Sequence, residues 1–375
     1  MRLLIIVNVD WFFISHRLPI ALEAKRRGIE VHIATKITSV SNENLIKKYG
    51  IYIHNLSFDR SGKSLWNLYK VFRQIIFLLK KLKPNILHLV TIQPILLGGI
   101  AAKMIGIKNI VYAVSGLGHT FLAENISSSI RRFFIIILYR LALTNKNRMV
   151  IFQNPQDLTL LSKRCSLSSS EVIVINGSGV DLKKFTFSEV PKSNPTVLMA
   201  SRLLISKGVY EFIDAAKMIN KKGLKIKFQL VGKPDISNPL AIKEDEIKKW
   251  VSNGYIEYLG FREDLHQIIP KAHLVVLPSY YPEGLPKIIC EAAACGRAVI
   301  TTDEPGCRDA IENGKTGLLI ESKNSKELSE AIIKLIKNRE LLKQMSINSR
   351  SRAEKYFNIK SIVNKHMNIY GYFDK

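Results

Sequence analysis

Residues 274–301, LVVLPSYYPEGLPKIICEAAACGRAVIT, contain the pattern on which the fold prediction rests. Leu274–Pro278 is a short apolar run typical of a buried strand, and a turn rich in proline and glycine follows it. Leu285–Ala294 has the spacing of a helix that starts near Gly284, and Ala298–Thr301 is a second apolar run. A strand, a crossing helix and another strand predict a βαβ unit with parallel strands.

Two carboxylates, Glu283 and Glu291, stand eight residues apart in this stretch. Along a continuous helix, eight residues correspond to a rise of about 12 Å, so the two groups would contact separate parts of an extended ligand. The first-turn N–H groups of Gly284–Lys287, except at Pro286, would then be available to an anion. The alternative interpretation is that Glu283 caps the helix and Glu291 is a buried, paired carboxylate.

A second strand-to-helix turn, residues 200–209 (ASRLLISKGV), carries two cations, Arg202 and Lys207. Lys207 and Gly208 open the next predicted helix, so a short loop allows both charges to converge. An arginine fork and a lysine point charge together suit a diphosphate. Two solvated surface cations are the alternative interpretation.

Alternating apolar runs and amphipathic helices extend through both halves of the chain, and they predict an α/β protein with two doubly wound parallel sheets. A polar stretch with two prolines, residues 188–195, interrupts the alternation and indicates a linker. We therefore predict domains at 1–187 and 188–357, with the C-terminal helix 358–375 packing back on the first domain. Ligands of such sheets bind beyond the carboxyl ends of the strands, which predicts a site in a cleft between two facing domains.

Common nucleotide- and metal-binding fingerprints are missing from the chain. Asn8–Trp11 follows the first strand where G-x-G-x-x-G would be expected, and Ser115–Gly118 offers only G-x-G, which is typical of a tight strand-to-helix turn. There is no P-loop motif, which argues against a P-loop enzyme. There is also no H-E-x-x-H motif and no D-x-D pair, so no metal site is predicted.

Composition narrows the class of protein. The 375 residues are 47% hydrophobic and 23% charged, a globular composition that excludes a disordered or collagen-like chain. The four cysteines are too few and too dispersed for a disulfide scaffold, which favours a reducing compartment. No apolar run approaches the roughly 20 residues of a membrane span, and the apolar start is too short for a signal peptide.

The net charge of +25 is unevenly distributed. Residues 1–187 hold 26 Lys and Arg against 9 Asp and Glu, so most of the excess lies in the first half. Such an excess suits an anionic lipid surface, a nucleic acid or a phosphorylated small molecule.

In combination, these segments resemble the family 4 retaining glycosyltransferases, which have the GT-B fold. The E-x₇-E element of that family corresponds to Glu283–Glu291, and its S-R-x₄-K-G element to Ser201–Gly208. Two further elements correspond to Gly177–Phe185 and Glu312–Leu319, and the opening SHRLPIALEAKRRGIEVHIAT resembles the first βαβ unit of the family. The resemblance is strongest to bacterial enzymes that extend undecaprenyl-diphosphate-linked sugars, such as N-acetylgalactosaminyltransferases.

The resemblance implies a role for each of these residues. Arg202 and Lys207 would hold the donor diphosphate and neutralise charge on the leaving group. Glu283 would contact hydroxyls of the transferred sugar near the reacting centre, and Glu291 would bind the ribose hydroxyls. The remaining donor-binding residues predicted are Gly284, Leu285, Gly232 and Arg262.

The first domain is expected to bind the acceptor. His16, predicted at the start of a helix after the first strand, would face the cleft and complete the catalytic set; a purely structural helix-start histidine is the alternative. Asp10 and His119 are further acceptor-side candidates, and Asp10 alternatively caps a helix.

The predicted activity is that of a retaining, metal-independent hexosyltransferase without a cofactor. It would move a hexose or N-acetylhexosamine from a nucleotide sugar, UDP-linked, to an undecaprenyl-diphosphate-linked saccharide in O-antigen, capsule or glycan assembly. Cations and helix N–H groups would stabilise the charge that develops on the departing nucleoside diphosphate. A transferase with a soluble acceptor and a non-catalytic nucleotide-sugar or polyanion-binding protein are the alternatives.

Two basic amphipathic stretches, Leu65–Lys83 and Ser129–Leu143, provide a reason for the basic first half. Helices of this kind lie in the interface of a membrane and attract anionic lipid. We therefore predict a cytoplasmic enzyme that attaches peripherally to the inner face of the cytoplasmic membrane, with no nucleic-acid partner. Packing helices with a solvated face are the alternative.

Overall fold

The computed structural model describes residues 1–59, 64–117, 126–235, 238–281 and 283–373. The chain divides into two compact units, Met1–Ser178 with Ile359–Lys375 and Gly179–Asn358. Each unit is an α/β structure built on one parallel sheet.

The boundary between the units precedes the predicted boundary at 187/188. Val180 and Phe185 are buried in the core of the second unit, so the chain has already entered that unit before the predicted linker. The polar stretch 188–195 begins against the same unit, because the buried Arg297 donates to the carbonyl oxygens of Ser188 (3.0 Å) and Glu189 (2.9 Å). The proline-containing stretch therefore begins as a segment of the second unit that Arg297 holds, and it does not mark the domain boundary.

The first unit contains seven parallel strands in the order β3-β2-β1-β4-β5-β6-β7. The strands are β1 (Arg2–Val9), β2 (Glu30–Lys36), β3 (Tyr52–Asn55), β4 (Ile86–Val90), β5 (Asn109–Val114), β6 (Asn147–Phe152) and β7 (Val172–Val174). The helices are α1 (Asp10–His16), α2 (Leu18–Arg26), α3 (Val40–Lys48), α4 (Leu65–Leu82), α5 (Ile92–Ile105), α6 (Ile126–Ala142) and α7 (Pro155–Cys165).

The strands in the middle of this sheet are apolar throughout because helices cover both faces. Leu3–Val7 of β1 and Ile86–Val90 of β4 are buried at every position, which is the pattern of a parallel sheet enclosed on both sides. Their side chains alternate between two separate core clusters, one on each face of the sheet.

The second unit contains six parallel strands in the order β10-β9-β8-β11-β12-β13. The strands are β8 (Thr196–Ala200), β9 (Lys227–Val231), β10 (Glu257–Tyr258), β11 (Leu274–Leu277), β12 (Ala298–Thr302) and β13 (Gly317–Ile320). The helices are α8 (Val209–Lys221), α9 (Glu244–Ser252), α10 (Leu265–Ile268), α11 (Lys287–Ala294), α12 (Cys307–Ala310), α13 (Ser325–Lys337) and α14 (Arg339–Arg352).

The strand order of the second unit reverses between β8 and β11. These two strands lie side by side, although 73 residues stand between Ala200 at the end of β8 and Leu274 at the start of β11. Successive strands are added outward from β8 on one side and from β11 on the other. The loops that leave these two strands therefore diverge, and this switch point is where open α/β sheets bind ligands.

The last helix, α15 (Ile359–Tyr372), belongs to the first unit and lies against α2. Its buried residues include Val363, Met367 and Tyr370, which join the core on one face of the first sheet. Among the described residues, no helix has both the length and the apolar character that crossing a bilayer requires.

Candidate active site

The predicted donor residues lie at the carboxyl edge of the second sheet, on either side of its switch point. The loop after β8 passes through a short 3-10 turn, Ile205–Lys207, and reaches α8 at Gly208. The loop after β11 leads to α11, whose first residue is Lys287. Because β8 and β11 are neighbours, the two loops that the sequence analysis singled out meet at one point.

Lys207 and Glu283 form a direct ion pair between these loops, with Lys207 Nζ donating to Glu283 Oε1. The two side chains are only 9% and 15% exposed, so both charges are largely removed from water. Ser279 Oγ lies 3.3 Å from the same carboxylate oxygen and also donates to the carbonyl of Ser206, at 3.3 Å. The buried Ser279 therefore connects the two loops beside the ion pair.

The charge of Lys207 depends on its partners. Burial lowers the pKa of Lys207, and the nearby positive charge of Arg202 lowers it further. The contact with the Glu283 carboxylate acts in the opposite direction because it favours the ammonium form. The Tyr281 ring, whose centroid lies 5.3 Å from Lys207 Nζ, adds a favourable cation–π contact. An anion that approached this lysine would favour the same charged form.

Glycine is required where the loop after β8 closes on β11. Gly208 has φ +79°, and a Cβ atom there would stand 2.1 Å from the carbonyl oxygen of Pro278. Gly306 has φ +79° as well, and its Cβ would stand 2.4 Å from the carbonyl oxygen of Glu283. Side chains at these positions would displace the loops that carry Lys207 and Glu283.

Arg202 reaches the neighbouring loop after β9. Its Nη1 atom lies 3.4 Å from Asp235 Oδ2, and its side chain is 39% exposed. Arg202 is therefore held at the carboxyl edge of the sheet while remaining open to solvent. It is close enough to Lys207 to affect that residue's pKa, so the two predicted diphosphate ligands share one electrostatic environment.

Glu291 lies on α11, with its side chain buried. Burial raises the pKa of Glu291, and the positive charges of Lys287 and Lys184 partly offset this. The nearest of them, Lys287 Nζ, is 3.8 Å from Glu291 Oε1. Glu291 is therefore buried and paired with Lys287, as the alternative interpretation of this residue expected. Its carboxylate oxygens have further lone pairs that can accept hydrogen bonds from hydroxyl groups of a ligand.

The helix begins at Lys287, two residues after the predicted first residue, Leu285. Pro286 has φ −65° and ψ 122°, an extended conformation, so Glu283–Pro286 stays in the loop. The 12 Å estimate assumed a continuous helix and does not apply to this segment. No side chain caps α11, so the alternative in which Glu283 is its cap is wrong.

The other predicted donor-binding residues lie in the same unit. Gly232 follows β9 and donates to the carbonyl of Gly260 at 2.9 Å, and a Cβ there would stand 1.9 Å from Ser201 O. Leu285 is buried beside α11 and Gly284 is buried in the preceding loop. Arg262 is exposed after β10, and its guanidinium binds both carboxylate oxygens of Asp264 at 2.8 and 2.6 Å.

The predicted acceptor-side residues lie in the first unit. Asp10 is fully buried at the start of α1, and accepts hydrogen bonds from Trp11 N and from the Thr38 N–H and hydroxyl, each at 2.7 Å. His16 is the last residue of α1 rather than the first residue of a helix, because α1 starts directly at Asp10. Its ring stacks on Phe12 with centroids 4.1 Å apart. His119 lies outside the described residues.

Three further residues lie around the donor site that were not predicted from the sequence. Ser279 contacts Glu283, Tyr281 lies beside Lys207, and Asp235 binds Arg202. All three are in loops that leave the carboxyl ends of strands, which is the signal that could have identified them. Among the residues that the structure describes, no group of three or more His, Cys, Asp or Glu side chains is arranged to hold a metal ion.

Two protein-family models match the chain, one in each unit. The model described as "Glycosyl transferase 4-like" matches residues 2–154. The model described as "Glycosyl transferases group 1" matches residues 181–352, which include the ion pair of Lys207 and Glu283.

Two curated relatives are similar over most of their length. One is the N,N'-diacetylbacillosaminyl-diphospho-undecaprenol alpha-1,3-N-acetylgalactosaminyltransferase of Campylobacter jejuni, which is 29% identical over 92% of this chain and 94% of its own. The other is the UDP-Gal:alpha-D-GlcNAc-diphosphoundecaprenol alpha-1,3-galactosyltransferase of Escherichia coli, 27% identical over 84% of this chain and 81% of its own.

Among solved structures, the sucrose-phosphate synthase of Thermosynechococcus elongatus superimposes with a TM-score of 0.80. It is 18% identical, and the alignment covers 99% of this chain and 98% of that one. The predicted GT-B fold is therefore confirmed. Each unit matches a glycosyltransferase model, so the family resemblance predicted from the sequence is confirmed.

Proposed function

We propose that the protein transfers a hexose or N-acetylhexosamine from a UDP-linked nucleotide sugar to an undecaprenyl-diphosphate-linked saccharide in O-antigen, capsule or glycan assembly. The observation that carries the proposal is the pair of Lys207 and Glu283 at the switch point of the second sheet, with Arg202 beside it. The names of the relatives from Campylobacter jejuni and Escherichia coli support the acceptor class, and the second of them supports a UDP-linked donor.

Each donor-site residue has a defined part in this proposal. Lys207 and Arg202 neutralise the diphosphate as the bond to the sugar breaks, which stabilises the transition state more than the bound substrate. Lys207 exchanges its contact with Glu283 for one with the phosphate, and Glu283 is then available to hydroxyl groups of the sugar. Glu291 accepts hydrogen bonds from the ribose. The cations perform the charge neutralisation, so the proposed reaction proceeds without a metal or cofactor.

The proposed reaction retains the configuration of the sugar. The bond between the anomeric carbon and the diphosphate oxygen breaks, and the acceptor hydroxyl attacks the carbon from the face that the diphosphate leaves. The acceptor proton passes to the departing diphosphate, so atoms and charges balance. The proposed mechanism assigns no carboxylate as a nucleophile.

Membrane attachment at the inner face of the cytoplasmic membrane is the second part of the proposal, and α4 supports it. The helix buries a stripe that includes Val71, Ile75 and Leu82 and turns a different set of residues to solvent. The exposed large apolar side chains of α4 are Leu65, Trp66, Tyr69 and Phe77. The helix has no acidic residue, and its exposed face also carries Lys70, Arg73, Lys80 and Lys81.

A second helix, α6, has a similar exposed face. Phe133 is 62% exposed and Phe134 is 59% exposed, and neither Asp nor Glu occurs in the helix. Aromatic side chains interleaved with cations, without acidic residues, suit the interface of an anionic membrane. An acceptor with an undecaprenyl chain would be presented at that surface.

The proposed activity is tested by incubating the full chain with UDP-, GDP- and dTDP-sugars and a short-chain polyprenyl-diphosphate saccharide, with products read by mass. We expect one hexose or N-acetylhexosamine to be added from a UDP-sugar in the presence of a chelator. An NMR spectrum of the product then reports whether the anomeric configuration is retained. Transfer only to soluble sugar phosphates would contradict the acceptor class, and inversion or dependence on a metal would contradict the mechanism.

A further inference from the structure

Arg17 is a buried cation that has no carboxylate partner among the residues that the structure describes. Its side chain is 1% exposed, and its guanidinium donates to the carbonyl of His16 (3.2 Å) and to Ser115 Oγ (3.3 Å). Its Nε atom has no hydrogen-bond partner, and no Asp or Glu of the described chain lies within ion-pair distance of it. Burial lowers the pKa of Arg17 to about 10, so the side chain stays charged at neutral pH. An uncompensated buried charge destabilises a protein, and a bound anion would remove this penalty.

The charge lies beneath the carboxyl edge of the first sheet. Arg17 occupies the turn between α1 and α2, and α1 follows β1 without a loop. Ser115, the residue that it reaches, is the first residue after β5. β4 lies between β1 and β5, and the strand order of this unit reverses between β1 and β4. The guanidinium therefore sits at the switch point of the first sheet, where α/β sheets bind ligands.

Ser115 can transmit the charge of Arg17 to the surface. Its Oγ accepts a hydrogen bond from the guanidinium, so its own hydrogen must point toward another acceptor. No such acceptor is present among the residues described, and the side chain is partly exposed. A hydroxyl group that accepts from a buried cation is polarised, which makes it a stronger donor to an anion.

The first turn of α5 places two more donors beside Ser115. Thr91 is the N-cap residue, and its N–H donates to the carbonyl oxygen of Ala113 in β5 at 3.2 Å. This bond fixes the start of the helix against that strand. Its side chain does not cap the helix, and its buried hydroxyl has no hydrogen-bond partner in the described part of the chain. The N–H groups of Ile92 and Gln93 have no acceptor within the described chain. These N–H groups carry the positive end of the dipole of a 14-residue helix.

The backbone at Thr91 is held in an unusual conformation. Its φ of 72° and ψ of 168° fall in a region that a β-branched residue rarely adopts. Asp10 is the acidic residue that precedes Arg17 most closely in the sequence. Its carboxylate already accepts hydrogen bonds from Trp11 and Thr38. The edge thus presents hydrogen-bond donors over a buried positive charge, and this arrangement matches the oxygens of a phosphoryl group.

We propose that Ser115 and the first turn of α5, backed by Arg17, bind a phosphoryl group of the diphosphate-linked acceptor. The inference rests on the proposed function and specifies which part of the acceptor the first unit recognises. Ser115 and the two N–H groups donate to phosphoryl oxygens, and Arg17 supplies the opposite charge from beneath.

Binding is tested directly with inorganic diphosphate as the probe. The full chain is first saturated with UDP so that the donor site is occupied, and diphosphate is then titrated by calorimetry. We expect one diphosphate to bind, Ser115→Ala to weaken it about tenfold, and Arg17→Gln to abolish it. Arg26→Gln, an exposed arginine on α2, changes the net charge equally and should leave the affinity unchanged.

Loss of folding is controlled separately. If circular dichroism shows that Arg17→Gln does not fold, Ser115→Ala and Arg17→Lys decide the outcome, because both keep the buried site close to its natural volume. Absence of diphosphate binding to the UDP-saturated protein, or equal affinities for the natural chain and Ser115→Ala, would overturn the proposal.

Kinetics identify which substrate the phosphoryl group belongs to. With a diphosphate-linked acceptor, Ser115→Ala should raise KM for the acceptor about tenfold and leave KM for the nucleotide sugar unchanged. With the same saccharide on an uncharged lipid, the variant and the natural chain should behave alike. A raised KM for the nucleotide sugar instead would show that the site serves the donor, and the proposal would be wrong.

The calorimetric result is independent of activity. Diphosphate binding that Ser115→Ala weakens, in a protein that transfers sugar only to soluble acceptors, would contradict the proposed function and leave an anion site in the first unit. Transfer to the lipid-linked acceptor together with unchanged diphosphate binding in Ser115→Ala would support the proposed function and contradict the anion site.

Discussion

Lys207 Nζ contacts Glu283 Oε1 across the switch point between β8 and β11, joining two residues that are 76 positions apart in the chain. Both side chains are largely buried, so each charge depends on the other for its stability. Removing one partner of such an ion pair strongly destabilises the folded protein, because the remaining charge stays buried without a counter-charge. The same contact favours the charged form of both groups.

Removing either partner should abolish transfer. We expect Lys207→Ala and Glu283→Gln each to lower kcat by about 10²- to 10³-fold, the range found when one preorganised electrostatic contact is lost. The measurement is initial-rate transfer to the lipid-linked acceptor. Lys222→Ala, at the exposed carboxyl end of α8, is the matched control and should keep full activity.

Stability and catalysis can be separated at the same pair. Lys207→Ala should lower the free energy of unfolding by about 3–5 kcal/mol, because it leaves the Glu283 carboxylate buried without its cation. The double variant Lys207→Met with Glu283→Leu should recover part of this stability in urea unfolding while remaining inactive. Activity in the double variant, or no recovery of stability, would contradict the assignment of these two roles.

Gly208 and Gly223 offer a matched pair of glycine substitutions. Both have positive φ, +79° and +70°, but only at Gly208 would a Cβ meet another atom, 2.1 Å from Pro278 O. We expect Gly208→Ala to lower the free energy of unfolding by about 2–4 kcal/mol, from strain and overpacking together. Gly223→Ala should lower it by about 1 kcal/mol, from strain alone. Equal effects in urea unfolding would show that the loop after β8 does not close tightly on β11.

The first unit should lose stability in mild acid. Burial, followed by the charge of Arg17, lowers the pKa of His366 to about 3; burial, followed by the charges of His366 and Arg17, lowers the pKa of His88 well below 6.5. The unfolded chain binds these protons first, because its histidines titrate near 6.5. The stability contribution is therefore complete above pH 6.5 and falls as the pH drops toward the folded values, by about 1.4 kcal/mol per pH unit for each histidine.

Fluorescence in a Trp250→Phe background can follow this loss, since the remaining tryptophans, Trp11 and Trp66, both lie in the first unit. Urea midpoints are measured between pH 7.5 and 5. His366→Phe removes one of the two groups and should give a shallower dependence on pH. An unchanged dependence in that variant would mean that these histidines do not control the acid sensitivity.

The exposed face of α4 should control membrane binding. Each lysine near an anionic surface contributes about 1 kcal/mol, so Lys80→Gln with Lys81→Gln should weaken binding to anionic vesicles roughly thirtyfold. Lys83, which follows the helix in the left-handed conformation with φ 43°, is left unchanged. Co-sedimentation with phosphatidylglycerol vesicles measures the effect.

Donor hydrolysis should not change in this variant, because Lys207 and its partners lie in the other unit. Lys221→Gln with Lys222→Gln, at the carboxyl end of α8, provides the control for net charge. A loss of vesicle binding in the control equal to that in the α4 variant would show that net charge, rather than this face, determines attachment.

The strands were the most predictable part of the fold. β11 (Leu274–Leu277) and β12 (Ala298–Thr302) lie within one residue of the predicted bounds, because short apolar runs between polar or proline residues have few other ways to bury both faces. The start of α11 was predicted two residues too early, at Leu285. Pro286 is compatible with a first helical turn, and only its ψ of 122° in the folded loop excludes it.

The chemistry of the site was only partly predictable. Glu283, Lys207 and Arg202 were identified from their positions after strands and from the family resemblance, but the contact between Lys207 and Glu283 was not. That contact depends on β8 and β11 being neighbours, which is a property of strand order. Arg17 gave no signal at all, because an arginine beside a helix start is ordinarily solvated. Only the folded chain buries it between the end of α1 and Ser115, the residue after β5.

The local pattern of residues determined that this chain forms two parallel α/β sheets and which loops carry charge, because periodicity and turn residues act over a few positions. Only the tertiary structure decided which charges meet. Strand order brings Lys207 to Glu283 and Arg17 to Ser115, and burial at both switch points removes the water that would otherwise screen them. The sequence therefore identified the charged residues of the donor site, and the folded structure determined their partners and their burial.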